Sequence, residues 1–177
     1  MGEPKKQHDK VEGPRSPWNK ERIEEEMVQI GTYGLRSKRE LWRSHTELKK
    51  YRQRARRMLA LPEDVREQQR RILAQRLYRL GLIEDEDAPI DAVLSLTADE
   101  FLRRRLQTII FDLGFAKTIY QARQLIVHGH ISIDGRKVKT PGYHVARGEE
   151  ERIKYSAYSP LTDEEHPARR LMMEDDA

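Results

Sequence analysis

Two stretches of this sequence bring cations together at helical spacing. In the first, Lys49, Arg52 and Arg56, and beside them Lys50, Arg54 and Arg57, stack positive charge over successive turns of any helix that carries them. In the second, Arg103, Arg104 and Arg105 open an apolar run and Lys117 and Thr118 open another. Arg123 and Gln124 follow one turn on, and His128 and His130 flank Gly129. Like charges at this density repel one another unless an anion lies beside them. A polyanion removes the repulsion, and each phosphate neutralised releases condensed counterions. The backbone donors of a helix starting at Thr118, with Lys117 alongside, suit a phosphate group. Arginine adds planar donors and stacking, so structured RNA is at least as good a target as DNA.

The formal net charge of +4 conceals this pattern. Residues 36–79 hold 15 basic and 5 acidic side chains and residues 103–147 hold 9 and 2, whereas residues 80–102 hold 7 acidic and no basic ones. With 36% charged and 37% hydrophobic residues in 177, the core is modest and a large catalytic architecture is excluded. No apolar run approaches the roughly 18 residues of a membrane span. No signal peptide precedes the charged start, and the expectation is a soluble intracellular protein with no membrane partner. Without cysteine there are no disulfides, thiolate zinc ligands or cysteine nucleophiles.

The elements that must position these groups divide the chain into four. Residues 1–34 carry Pro4, Gly13, Pro14 and Pro17, which reads as an extended or disordered arm anchored by Trp18, followed by a short helix from Lys20 to Ile30. Residues 35–96 form a basic helical domain. Ser37 with Glu40 has the spacing of a capping box, and Leu41, Leu48, Tyr51, Ala55, Met58 and Leu59 give one apolar face up to Ala60. Pro62, Glu63 and Asp64 then open a second helix with Val65, Ile72, Leu73, Leu77 and Leu80 inside, making an αα-hairpin. Glu84 to Pro89 reads as an acidic linker and lacks the register of a calcium loop.

Residues 97–158 form a more ordered unit. Thr97 with Glu100 caps a helix whose Leu102, Leu106, Ile109, Ile110 and Leu113 run to Gly114, and Thr118 with Gln121 caps a shorter one ending at Gly129. His130 to Ile133 alternates as a strand does, Asp134-Gly135 signals a hairpin, Arg136 to Val138 returns, and Glu151 to Tyr155 closes the sheet. Residues 159–177 form an acidic flexible tail. The fold class is α+β: a basic helical N-terminal half followed by two helices on a small antiparallel sheet.

An enzyme would need a constellation that is missing here. There is no phosphate-cradling glycine loop, no His-Glu-x-x-His and no serine in a nucleophile elbow. His128 and His130 are only two ligands, so a phosphate or base contact or a structural role is favoured over a metal. Asp134 reads as the turn residue, not as a catalytic acid. The reading is therefore a binding protein with no cofactor and no metal. An RNA-modifying or tRNA-charging enzyme, and a small RNA-binding quality-control factor, stand as the alternatives.

The runs Arg104 to Ala116, Ala122 to Ile131 and Ile133-Asp134-Gly135 resemble the S-four RNA-binding module. Upstream, Tyr33-Gly34-Leu35, Lys38 to Arg43, Tyr51 to Arg56 and Ser95-Leu96-Thr97 extend the resemblance to the archaeal-type S-four family of small-subunit ribosomal proteins, over roughly Pro14 to Tyr155. The resemblance implies a cytoplasmic, primary rRNA-binding protein that contacts the 5′ domain of small-subunit rRNA and nucleates assembly of the subunit body. It also implies neighbouring small-subunit proteins, mRNA where it enters the subunit, and a part in translational accuracy. Carried over by position, Arg105, Lys117, Thr118, Arg123, Gln124, His128 and Lys139 fall on the RNA-facing places of the module. Arg43 and Gln121 complete the expected contact set. Asp112 stands where relatives often have a cation, so no phosphate contact is expected there.

Overall fold

The longest helix, α2, spans Lys38–Leu59, and its apolar residues return every third or fourth position, so Leu41, Leu48, Ala55 and Met58 are buried along one side. The computed structural model describes residues 11–163, 165–167 and 169. Before α2 lies α1 (Lys20–Thr32), capped by the Asn19 side chain accepting from the Arg22 N–H. After it, α3 (Glu63–Arg79) folds back and buries Leu73, Ala74 and Leu77 against α2, as the αα-hairpin reading requires. The expected stripe on α3 is narrower than read, because Val65 and Ile72 are 42% and 68% exposed. Leu59, at the end of α2, is also exposed.

The acidic stretch between Glu84 and Pro89 packs against α3. Arg70 donates to the Asp87 carbonyl at 2.7 Å, the Ala88 carbonyl at 2.8 Å and the Asp87 carboxylate at 2.8 Å, and Ala88 is buried. A short helix, α4 (Ile90–Ser95), follows that the spacing did not reveal. The helix expected from Thr97 to Gly114 is two helices: α5 (Ala98–Arg103) and α6 (Leu106–Asp112). It breaks because backbone groups at the break pair with a distant segment. The Arg104 carbonyl accepts from the Val145 N–H at 3.0 Å, and the Leu106 N–H donates to the Tyr143 carbonyl at 2.8 Å. Ala98 and Phe101 of α5 join the core of the helical half, whereas Leu106 and Ile110 of α6 join that of the module.

In the module, α6 packs on α7 (Ile119–His128) and both cover a three-stranded antiparallel sheet of order β2-β1-β3, with β1 Ile131–Ile133, β2 Arg136–Lys137 and β3 Ile153–Tyr155. Asp134 and Gly135 both have positive φ, 50° and 74°, as the tight turn between β1 and β2 demands. The closing strand is shorter than expected, since Glu150–Arg152 forms a 3-10 turn before it. Alternation in β1 is also lost: Ser132 is buried and its hydroxyl donates to the Lys154 carbonyl at 3.1 Å.

Two expectations about the ends need correction. Residues 11–19 lie against the helical half: the Glu12 N–H donates to Thr46 Oγ1 at 3.1 Å, Glu12 pairs with Lys49, and Arg22 reaches the Ser16 and Pro17 carbonyls at 2.9 Å each. Trp18 does not anchor this segment; it is 89% exposed. At the other end, Leu161 is buried in the module core, so the first residues of the expected tail belong to the folded unit. Residues 1–10, and most of the acidic end, lie outside the described residues.

Candidate nucleic-acid interface

The junction between the two halves is built on Glu40, in the first turn of α2. Its side chain does not complete a capping box with Ser37, whose hydroxyl makes no capping bond. Its carboxylate instead accepts from Arg105 Nη2 at 2.7 Å, Arg123 Nη2 at 2.7 Å and Arg123 Nη1 at 3.2 Å. Gln107, wholly buried, donates to the carbonyls of Gly34 and Ile119 at 2.9 Å each and accepts from Arg123 at 3.2 Å. Gly34 has φ 56°, and a Cβ there would lie 2.7 Å from Gln107 Nε2, so this crossing needs glycine twice over.

Three arginines expected on RNA are thereby accounted for otherwise. Arg105 is 5% exposed and spent on Glu40. Arg104 pairs with Glu150 and donates to the Val145 carbonyl at 2.8 Å. Arg52 donates to the Leu96 carbonyl at 2.6 Å, tying α2 to the turn before α5. Each satisfies a carbonyl or carboxylate that folding removes from water. Arg123 is divided: it holds Glu40, yet its side chain keeps 21% of its exposure.

Burial pushes the Glu40 carboxyl up, but the hydrogen bond from Arg123 and the charges of Arg105 and Arg123 outweigh it and hold the group below 4.5. Glu26, buried beneath Trp42 and paired with Arg22 at 2.9 Å and Lys38 at 3.2 Å, is lowered in the same way against its own burial. Both carboxyls have folded values below their unfolded ones. The stability they contribute is therefore complete above the ordinary carboxylate range and is lost as pH falls through the folded values. Thermal unfolding followed across acidic pH should show the melting temperature falling below about pH 5, and falling less steeply in Glu40→Gln.

On the outer side of α2 the cations are arranged differently. Arg43, Lys50, Arg54 and Arg57 stand at i, i+7, i+11 and i+14 and so share one stripe, opposite buried Leu41, Leu48 and Ala55. All four are exposed, and none forms an ion pair with a described residue. Arg56 is exposed on the flank, and Lys49 is taken by Glu12. Arg76 of α3, which sequence reasoning did not single out, lines a cleft together with Lys50 and Arg54. Its position three residues before the end of α3 was legible as a cation, but its partners were not.

The face of the module is set by α7. Thr118 Oγ1 accepts from the Gln121 N–H at 3.2 Å and Gln121 Oε1 accepts from the Lys117 N–H at 2.9 Å, so both expected contacts first serve to start the helix. Lys117, Gln124 and His128 are exposed along it, and Gln121, Gln124, His128 and His130 line one shallow depression. Gly129 ends α7 with φ 78°, which turns His130 inward to share a 2.8 Å hydrogen bond with Ser159. Burial, with His128 and Lys137 nearby, pushes the His130 imidazole below its ordinary value. Lys139 and Arg103 are exposed. Among the described residues no group of three potential ligands converges on a metal position.

Two helices on a small antiparallel sheet, with cations on the opening helix turns and a basic helical half in front, define an RNA-binding protein of the S4 class; the S4 domain matches residues 104–151. The similarity extends well beyond that module. The chain is 52% identical to the small ribosomal subunit protein uS4 of Sulfurisphaera tokodaii, covering 94% of this chain and 93% of the relative. It is 54% identical to that of Ignicoccus hospitalis, over 90% of this chain and 96% of the relative, and 53% to that of Hyperthermus butylicus, over 90% of each. The chain belongs to the uS4 family of small ribosomal subunit proteins.

Proposed function

We infer that this chain is a structural, rRNA-binding constituent of the small ribosomal subunit, located with it in the cytoplasm, and a binding protein instead of an enzyme. The observation that carries the reading is the α2 stripe: four exposed cations on one side of a single helix that form no ion pair with a described residue, whereas Arg104, Arg105 and Arg123 are held by carboxylates. Burying that stripe against phosphates removes its self-repulsion and releases counterions. Family membership supplies the RNA.

The finer assignment is a division of labour. The helical half, with the cut expected at 97 drawn nearer 103 by the packing of α5, grips the RNA backbone through Arg43, Lys50, Arg54, Arg56 and Arg57. The module adds Lys117, Gln124, His128 and Lys139, with Arg123 and Arg103 at its margin. The target is the 5′ domain of small-subunit rRNA, whose early capture nucleates the subunit body. Contacts with neighbouring proteins and with incoming mRNA, and the effect on accuracy, belong to the same reading.

Binding to a 5′-domain transcript and to an unrelated structured RNA of equal length, titrated across salt, tests it. A preference for the 5′ domain that persists at high salt is expected, because non-specific attraction fades steeply with ionic strength. Equal affinities that collapse together would reduce the protein to a general RNA binder.

A further inference from the structure

Between α2, α3 and the segment around His144 lies a cleft of about 350 Å³ that the phosphate-gripping stripe does not explain. Its inner wall is apolar: Tyr51, Leu80, Leu82 and Phe101, with the Tyr51 and Phe101 rings 5.8 Å apart and His144 edge-on to Phe101 at 6.3 Å. Its rim is cationic, with Lys50 and Arg54 from α2 and Arg76 from α3. Glu47, the carboxylate in its lining, is held by His144 at 3.4 Å. An apolar wall with aromatic rings under a ring of three cations is a poor place for water and a good one for a flat, apolar-faced group that carries a phosphate.

We propose that this cleft receives a single unstacked nucleotide of the bound RNA, its base against Tyr51 and its flanking phosphate between Arg54 and Arg76. The inference rests on the RNA-binding reading above and deepens it. Several features select this occupant. The volume lies at the low end of the roughly 300–1,000 Å³ of small-ligand sites, enough for one nucleotide and too small for a duplex or a peptide helix. Every base offers a π-face to an aromatic surface, and sequence-tolerant recognition of unpaired RNA works through such stacking. The three cations Lys50, Arg54 and Arg76 outnumber the one carboxylate of the lining, Glu47, which also holds His144, so the rim keeps a surplus of positive charge that a phosphate would balance. The site also continues the α2 stripe, since Lys50 and Arg54 belong to both. It places a base reader beside a backbone grip.

The test uses the full chain and 5′-domain transcripts carrying 4-thiouridine or 6-thioguanosine, cross-linked and mapped by mass spectrometry, together with affinities of Tyr51→Leu and Arg76→Gln. Tyr51→Leu keeps apolar volume but removes the ring. Arg76→Gln lies on the exposed rim and leaves the core untouched, and circular dichroism of both variants checks the fold. A cross-linked peptide containing Tyr51 is expected, and each variant should bind about 5- to 100-fold more weakly, the range for losing one stacked base, with cross-links on α7 retained. Wild-type affinity in both variants, with no cross-link at Tyr51 and the α7 cross-links intact, would overturn the cleft assignment while leaving RNA binding standing. Failure of the parent chain to bind RNA would take down both. If a glutamate-rich peptide, and not RNA, shifts the Leu80 and Leu82 methyl resonances, the cleft is a protein-docking site and the proposal is wrong.

Discussion

Glu40→Ala is expected to destabilise the fold by about 3–5 kcal/mol, the usual result of removing one partner from a buried ion pair. For a chain of this size that lowers the melting temperature by roughly 10 °C. The magnitude follows from what is left behind. Arg105 is 5% exposed, its position is fixed by the break between α5 and α6, and without Glu40 its charge has neither carboxylate nor water. Arg123 could swing outward, since it retains exposure; Arg105 has no such route. Urea or thermal unfolding of Glu40→Ala, Arg105→Met and the double variant forms a cycle that isolates the pair. The double variant should recover part of the loss, because an apolar replacement of both partners removes the stranded charge. A Glu40→Ala protein within about 1 kcal/mol of the parent would show that the two halves do not depend on this contact.

The second large effect is on RNA binding. Replacing Arg43, Lys50, Arg54 and Arg57 together by alanine should leave stability nearly unchanged, since exposed positions away from special features usually shift it by less than about 0.5 kcal/mol each. Affinity for the rRNA transcript should fall at least about 100-fold at moderate salt, and the slope of log affinity against log salt should flatten by roughly one for each phosphate that the variant no longer neutralises. Arg105→Met supplies the contrast: it should lower stability and leave the slope unchanged. If the quadruple variant kept the parental slope, α2 would not be the gripping surface, and the module would have to carry the electrostatic binding alone. The two experiments separate arginines that hold the protein together from arginines that hold RNA, which composition alone mixes.

That separation also marks how far the chain could be read unaided. The amphipathic course of α2, the start of α7 at Thr118, the Asp134-Gly135 hairpin and the α+β order all follow from interactions spanning a few residues. Period, cap and turn chemistry are local and legible wherever they occur. The α2 stripe was readable for the same reason, because helical spacing alone puts its cations on one side. The direction of Arg52, Arg104 and Arg105 was not. Each is chosen by an acceptor at least 40 residues away in the chain: Leu96, Val145 and Glu40. Glu40 had the spacing of a capping box and was taken instead by two arginines of the module. The break after Arg103 and the cleft that joins Arg76 to His144 depend likewise on which distant segments meet. Local spacing thus settled where the charge lies along each element. Only the tertiary structure decided which charges were turned inward, because a buried guanidinium is tolerated solely where folding brings an acceptor to it.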